Sequence, residues 1–314
     1  MKLSGILSIV LLSYYSRERI IKSFQAVKDL LDGERIPFEF IVIDDGSKDE
    51  SYQVAIDLER NQDNVHVYQL SKNYGSMYSI FAGLSVSKGA CVLPLVDDEQ
   101  QPYSTIVQMY RLWQTGEKII VPYRTRRDDP KLSRFFSNAF YRTMNSISDI
   151  KYPIGGADLA LIDREVVDIL NTRIHPRNTM FIAEVLNLGF DPFFLPYERP
   201  AGLNNGKSRW TFKKKMRLAL DTLFSNTTFP LRIISFFGGI ISLFSFAALL
   251  FYLYIAIWGN KEFWNIKVPG WISIILLMFM LGGFILLGLG IISEYLWRIY
   301  DEVKDRPGYI IKKK

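Results

Sequence analysis

Phe38-Glu39-Phe40-Ile41-Val42-Ile43-Asp44-Asp45-Gly46-Ser47 is the stretch on which the fold turns. A run of aromatic and β-branched residues reads as a strand, and it stops on two carboxylates and a turn glycine. Working outward, comparable runs recur at Leu7–Leu12, Val65–Leu70, Cys91–Val96 and Lys118–Pro122. Between them, Ile20, Ile21, Phe24, Val27, Leu30 and Leu31 fall at helical spacing, and so do Tyr78, Phe81, Ala82 and Ser85. Strands alternating with helices predict an α/β domain whose sheet is mostly parallel and covered on both faces. Ligands of such sheets sit outside the C-terminal ends of the strands, so the polar residues just after each strand are the candidate site.

Two of those ends are acidic. Asp44-Asp45-Gly46-Ser47 can accept hydrogen bonds from a base or a ribose, and can equally form a turn with an N-cap for a helix starting near Glu50. Cys91–Val96 runs into Asp97-Asp98-Glu99-Gln100-Gln101-Pro102. Oxygen donors there suit a hard divalent cation bridging a diphosphate, the alternative being a solvated loop. Arg124, Arg126, Arg127 and Arg134 follow the fifth strand, either as phosphate-binding forks or as a solvated face. Two acidic strand ends in one crevice favour a nucleotide-diphosphate site.

The pattern changes after Pro196. A polar loop from Tyr197 to Trp210 leads into a helix from Thr211, whose Phe212, Met216, Ala219, Leu220, Leu223 and Phe224 lie opposite a lysine cluster. Such a basic amphipathic helix lies in a membrane interface. Ile233 to Trp258 and Val268 to Ser293 then contain no charged residue. Each exceeds the roughly 20 residues that a helical crossing needs, so two spans are expected. The expected division is a domain over 1–210, an interfacial helix over 211–231, and a two-span region with its tail over 232–314.

The net charge of +6 is unevenly placed. Lys207, Arg209, Lys213, Lys214, Lys215, Arg217 and Arg232 precede the first span, and Arg298, Lys304, Arg306, Lys312, Lys313 and Lys314 follow the second. The positive-inside rule puts both termini and the soluble domain in the cytoplasm of a multi-pass inner (plasma) membrane protein. The belt suits anionic headgroups or a lipid phosphate and argues against nucleic acid, since few aromatics interleave with it. Cys91, the only cysteine, excludes an internal disulfide and reads as a buried strand residue. His66 and His175 are too few for a histidine metal site. The apolar run after Met1-Lys2, interrupted by Ser4, Ser8 and Ser13, reads as a first strand rather than a signal sequence. Gly282-Gly283, Gly288 and Gly290 permit close helix packing, within one chain or in a homo-oligomer.

Across nearly its whole length the chain resembles the membrane-bound polyprenyl-phosphate glycosyltransferases, a branch of the family 2 glycosyltransferases. The residues carrying the likeness are Val42 to Ser47, Lys72-Asn73-Tyr74-Gly75, Gln100-Gln101-Pro102, Phe140 to Asn145, Pro196 to Pro200, Gly206 to Trp210 and Phe229 to Arg232. The most specific is the tail, Gly290 to Tyr300 continued by Glu302-Val303-Lys304 and Arg306-Pro307. The resemblance implies a GT-A (Rossmann-like) domain that moves a sugar from a nucleotide sugar, UDP-linked by family habit, to a polyprenyl (undecaprenyl) phosphate for cell-envelope or O-antigen modification. It implies nucleoside contacts for Tyr14 and Asp45, with Asp97 beside them. It implies Asp98 and Gln100 as ligands of Mg²⁺ or Mn²⁺, Arg124 and Arg134 on phosphate, and Ser208 and Arg209 in a loop closing over the site. Asp98, Arg124 and Arg134 would be the catalytic set.

The chain departs from the family pattern at Ser16, where an acid is usual, and at Val96, where the first metal-binding Asp is usual, a role Asp97 could assume. Ala160 and Gly202-Leu203 replace arginines. Ser16, Val96 and Ala160 keep open a non-catalytic membrane scaffold for a partner glycosyltransferase, and a second enzyme reading keeps the fold with another lipid or glycan acceptor. A lipid phosphate is largely dianionic near pH 7, so it can attack the anomeric carbon directly, and direct displacement inverts that carbon.

Overall fold

The structure is a computed structural model of the 314-residue chain. It describes residues 5–97, 102–125, 145–146, 152–153, 157, 159–177, 179–198, scattered positions between 230 and 247, 271–304 and 306–312. The chain forms two compact units, Met1–Thr222 with Arg306–Lys314, and Leu223–Asp305.

In the first unit the elements run β1 (Leu7–Ser13), α1 (Arg17–Gly33), β2 (Phe38–Asp44), α2 (Ser51–Asn61), β3 (Val65–Gln69), α3 (Ser76–Val86), β4 (Cys91–Val96), α4 (Ser104–Gln114), β5 (Ile119–Arg124), β6 (Leu161–Asp163), α5 (Arg164–Arg173), α6 (Phe181–Asn187) and β7 (Phe193–Tyr197). The sheet order is β3-β2-β1-β4-β6-β5-β7. All seven residues of β1 are buried, as expected of a central parallel strand with helices on both faces. Helix α1 buries Ile20, Phe24, Val27 and Leu31, and the Phe24 ring meets Phe40 of β2 edge-on at 5.3 Å.

Register places the site. β1 lies between β2 and β4, parallel to both, with Ser13 opposite Asp44 and Leu12 opposite Val96. The strand order therefore reverses at β1, the point where open α/β sheets bind ligands. Ser13, Asp44 and the residue after Val96, Asp97, form one row across three adjacent strand ends.

The five expected strands are present, with ends shifted by one or two residues. Arg124 is the last residue of β5 rather than following it. Two strands carry no earlier expectation. β6 is antiparallel and pairs with only Cys91 and Val92 of β4, and β7 pairs parallel to β5. Cys91 is buried, and burial pushes its thiol well above the ordinary range.

In the second unit, α7 (Trp271–Val303) contains Leu281–Val303, a segment long and apolar enough to cross a membrane. Described positions between 230 and 247 are also helical. A Cβ at Gly288 would stand 3.5 Å from Ile234 Cγ2, so this glycine faces a residue of its own chain. Most of the expected first span, and the interfacial helix from Thr211, lie outside the described residues.

Candidate functional site

The β2 end is built around two aspartates with different tasks. Asp44 is fully buried and accepts from the Ser47 amide at 3.1 Å and from Gln69 Nε2 at 2.9 Å, both on Oδ2. Asp45 accepts from two consecutive loop amides, Tyr74 N–H on Oδ1 at 2.7 Å and Gly75 N–H on Oδ2 at 2.8 Å. Burial pushes the Asp45 carboxyl above its ordinary value, while these two amide bonds and the neighbouring Asp44 act in smaller measure. Gly46, at φ +68°, makes the turn possible: a Cβ there would stand 2.5 Å from the Lys72 carbonyl carbon. The 71–75 loop and the Asp-Asp-Gly-Ser turn thus interlock. The helix-cap reading does not hold for Asp44, Asp45 or Ser47. Helix α2 starts at Ser51, whose amide is met by Asp49 at 3.2 Å.

At the β4 end, Asp97 already has partners. Its Oδ2 accepts from Arg19 Nε at 3.0 Å and from the Ser16 hydroxyl. Arg19 also donates to the Tyr15 carbonyl and to Ser16 Oγ, each at 3.1 Å. Ser16 stands where the resemblance leads one to expect an acid. The Asp97 carboxylate, on the neighbouring strand end, reaches the Ser16 hydroxyl. The same pairing bears on the metal. A carboxylate paired with a guanidinium is less available to a divalent cation.

The β1 end presents Tyr14 and Tyr15, both about half exposed, with ring centroids 4.6 Å apart in an edge-on pair. Tyr15 adopts φ +51°, a left-handed conformation that a bulky residue rarely takes. Local bonds hold it there: its amide donates to Ser47 Oγ at 3.0 Å and its carbonyl accepts from Arg19. The Ser16 amide donates to Ser51 Oγ at 2.8 Å, tying β1 to the start of α2.

Arg124 ends β5 with its Nε donating to the Tyr197 hydroxyl at 3.2 Å. β5 is parallel to β7, and its C-terminal end points the same way as those of β1, β2 and β4. Two strand spacings, about 10 Å, separate β5 from β4. The structure therefore gathers Tyr14, Asp45 and Asp97 at adjacent strand ends and sets Arg124 at the far side of the same edge. Asp98, Gln100, Arg134, Ser208 and Arg209 lie outside the described residues. Among the described residues, no group of three or more His, Cys, Asp or Glu side chains could hold a metal ion.

Three participants have no counterpart in the sequence reading. Arg19 is in the first turn of α1, and only the β1–β4 pairing reveals its nearness to Asp97, 78 residues away. Gln69 looks like an ordinary strand end until its amide is found on Asp44. Tyr309 to Lys312 look like a trailing end but return to Gln69 and Ser71.

The chain is similar to known proteins. Residues 8–170 match the family described as Glycosyl transferase family 2. The SfII prophage-derived bactoprenol glucosyl transferase of Shigella flexneri is 32% identical over 316 residues, covering 98% of this chain and 97% of its own. An uncharacterized glycosyltransferase of Synechocystis, sll0501, is 31% identical over 307 residues, covering 97% of this chain and 94% of its own. A crystal structure of glucosyl-3-phosphoglycerate synthase from Mycobacterium tuberculosis, holding Mn²⁺, UDP and phosphoglyceric acid, superposes with TM-score 0.47 at 16% identity, over 70% of this chain and 76% of its own. The family match begins in β1 and ends in α5, so it encloses every strand end of the acidic row, and the relatives continue through the apolar C-terminal region: the chain is a glycosyltransferase and belongs to glycosyl transferase family 2.

Proposed function

We propose that the chain transfers a sugar from a nucleotide sugar, probed first as UDP-linked, to a polyprenyl phosphate at the membrane surface. The observation that carries this reading is end-to-end similarity to bactoprenol glucosyl transferases, which includes the apolar region as well as the catalytic domain. The acidic row supports the donor half. Tyr14 and Asp45 stand at the switch point of the sheet, where a nucleoside binds in folds of this type. Asp98 and Gln100, with hard oxygen donors, are the residues suited to hold Mg²⁺ or Mn²⁺. A bound cation would offset charge on the departing diphosphate. Arg124 and Arg134 would hold the acceptor phosphate, and Ser208 and Arg209 would close over it.

In the reaction a phosphate oxygen of the lipid attacks the anomeric carbon, the bond from that carbon to the nucleoside diphosphate breaks, and the configuration inverts. The phosphate dianion needs no base, so the protein's work is alignment of the two substrates and stabilisation of charge on the leaving group.

The tail supports the expected topology. Residues 309–312 pair with the sheet of the first unit, which supports both flanks of the apolar region lying on one side of a bilayer. An even number of crossings would follow, which favours a second span over 233–258 beside the helix at Leu281–Val303. The charge belt places this side in the cytoplasm.

The test is a membrane assay with undecaprenyl phosphate, radiolabelled UDP- and GDP-sugars, and Mg²⁺ or Mn²⁺ with and without chelator. A chloroform-extractable labelled lipid is expected, lost with chelator and lost in Asp98→Ala. No labelled lipid from any donor, with folded protein present, overturns the acceptor assignment. Full activity in Asp98→Ala overturns the metal role.

A further inference from the structure

Resting on the donor reading above, we infer that the C-terminal segment 308–312 is a positioning strap for the nucleotide site, fixing Asp44 and Asp45 through β3 and the loop that follows it.

β3 ends the sheet, with β2 as its one strand neighbour among the described residues, so its outer edge is free to accept another segment. The tail takes that edge. Ser71 N–H donates to the Ile310 carbonyl and Lys312 N–H donates to the Gln69 carbonyl, both at 2.8 Å. These bonds make an antiparallel bridge between Leu70 and Ile311. On its other side Leu70 donates its amide to the Asp44 carbonyl at 2.8 Å. One residue therefore stands between the tail and the aspartate turn.

A side-chain relay runs alongside. Lys312 Nζ donates to Gln69 Oε1 at 2.8 Å, and Gln69 Nε2 donates to Asp44 Oδ2 at 2.9 Å. Fixing both ends of the Gln69 amide orients it with its NH₂ toward Asp44. The loop that starts at Ser71 then presents the Tyr74 and Gly75 amides to Asp45. Releasing the tail frees the start of that loop, and with it the two donors that hold the Asp45 carboxylate.

The segment is seated rather than draped. The Tyr309 hydroxyl reaches the Phe81 carbonyl at 3.3 Å and also touches Ser85 on α3, and burial pushes its ionisation upward. A Cβ at Gly308 would stand 2.7 Å from Pro176 Cγ and 3.1 Å from Tyr78 Cε1, so a side chain there would displace the Pro176 ring. An edge cover needs only the backbone bridge. The lysine relay and the fitted glycine go beyond that need and point to control of the loop's position.

Full-length protein in detergent tests this with three substitutions at one residue. Lys312→Pro removes the bridging N–H, Lys312→Ala removes the relay, and Lys312→Arg retains a donor for Gln69. Binding of UDP and of GDP is measured by titration, and amide exchange is followed over residues 69–75. Lys312→Ala is expected to weaken nucleotide binding about threefold to tenfold, the scale of one modest hydrogen bond, with Lys312→Arg near wild type. Lys312→Pro is expected to weaken it further, with faster exchange at Tyr74 and Gly75. The KM for undecaprenyl phosphate should stay within about twofold, a separation that general loss of structure does not produce. Wild-type protein that binds neither UDP nor GDP overturns the donor reading and the strap with it. Wild-type binding together with unchanged affinity in both Lys312→Ala and Lys312→Pro overturns the strap alone, whatever the exchange shows.

Discussion

The two ends of the sheet both bury carboxylates on strands, and they treat them oppositely. At the N-terminal ends, Glu39 is 8% exposed and one oxygen accepts from Ser8 Oγ at 2.5 Å, Lys88 N–H at 2.6 Å and Gly89 N–H at 2.9 Å. His66 Nε2 lies 4.0 Å from the other oxygen. At the C-terminal ends, Asp44 Oδ1 and the hydroxyl of Ser13, its register partner, have no hydrogen-bond partner among the described residues. Buried polar atoms are nearly always paired, and unmet ones concentrate where a ligand or ordered water completes them. The first cluster is finished and holds the fold together. The second is unfinished, and it lies in the row of strand ends that carries the proposed nucleotide contacts.

The largest test of this contrast is Asp45→Ala. It removes the acceptor for two loop amides and a proposed nucleoside contact, so transfer should fall about 10²-fold, the scale of misplaced substrate alignment. Initial rates at saturating lipid measure it. A rate within threefold of wild type would mean that the unfinished row is not the site. Glu39→Ala should do the reverse. Three donors lose their acceptor, which costs about 3 kcal/mol after partial rearrangement. In a domain of this size that lowers the melting temperature by about 10 °C, with transfer per folded molecule unchanged. A matching loss of specific activity would erase the distinction between the two ends.

How much of this was legible in the sequence follows from the range of each signal. Phe38 to Ile43 announces its strand because five of its six residues are of β-forming type and abut two acids and a glycine, all local. Leu161–Asp163 is only three residues long, too short for any period, and it is held by its neighbours β4 and β5. Phe193–Tyr197 contains a proline and ends a run of turn-forming residues, and pairing with β5 is what makes it a strand. Asp45 was legible as a candidate at a strand end, but its grip on Tyr74 and Gly75 was not, because contacts 29 and 30 residues apart leave no mark on composition. The same holds for Arg19 with Asp97 and for the returning tail.

Arg19 and Asp97 ask whether part of the unfinished end is structural after all. Their side chains are 33% and 9% exposed, so water screens the pair from one side. Arg19→Gln and Asp97→Asn should each destabilise by about 1–2 kcal/mol, and the double variant by less than the sum, leaving a coupling of about 1 kcal/mol. Thermal melts of the four proteins give the cycle. Additive losses would show that Arg19 does not hold Asp97, and would return that carboxylate to the set of available ligands.

Glu184 gives the smallest effect and isolates what burial alone does to a carboxylate. It lies on α6, is partly buried, and its carboxylate has no hydrogen-bond or ion-pair partner among the described residues. Burial raises its ionisation above the ordinary value, and nothing offsets this. The sign follows from linkage: a group whose proton is held more tightly in the folded state favours folding when protonated, and that advantage is lost as pH rises through the folded pKa. Wild-type protein therefore carries a penalty at pH 7 that is absent below the ordinary glutamate range. Glu184→Gln removes the charge and keeps the shape, so it should raise the melting temperature at pH 7 by a small amount, with the difference vanishing near pH 4. Melts across that interval decide it. A variant less stable at pH 7 would mean that the Glu184 carboxylate has a partner in the folded protein, and Glu184 would then belong with the finished cluster rather than apart from it.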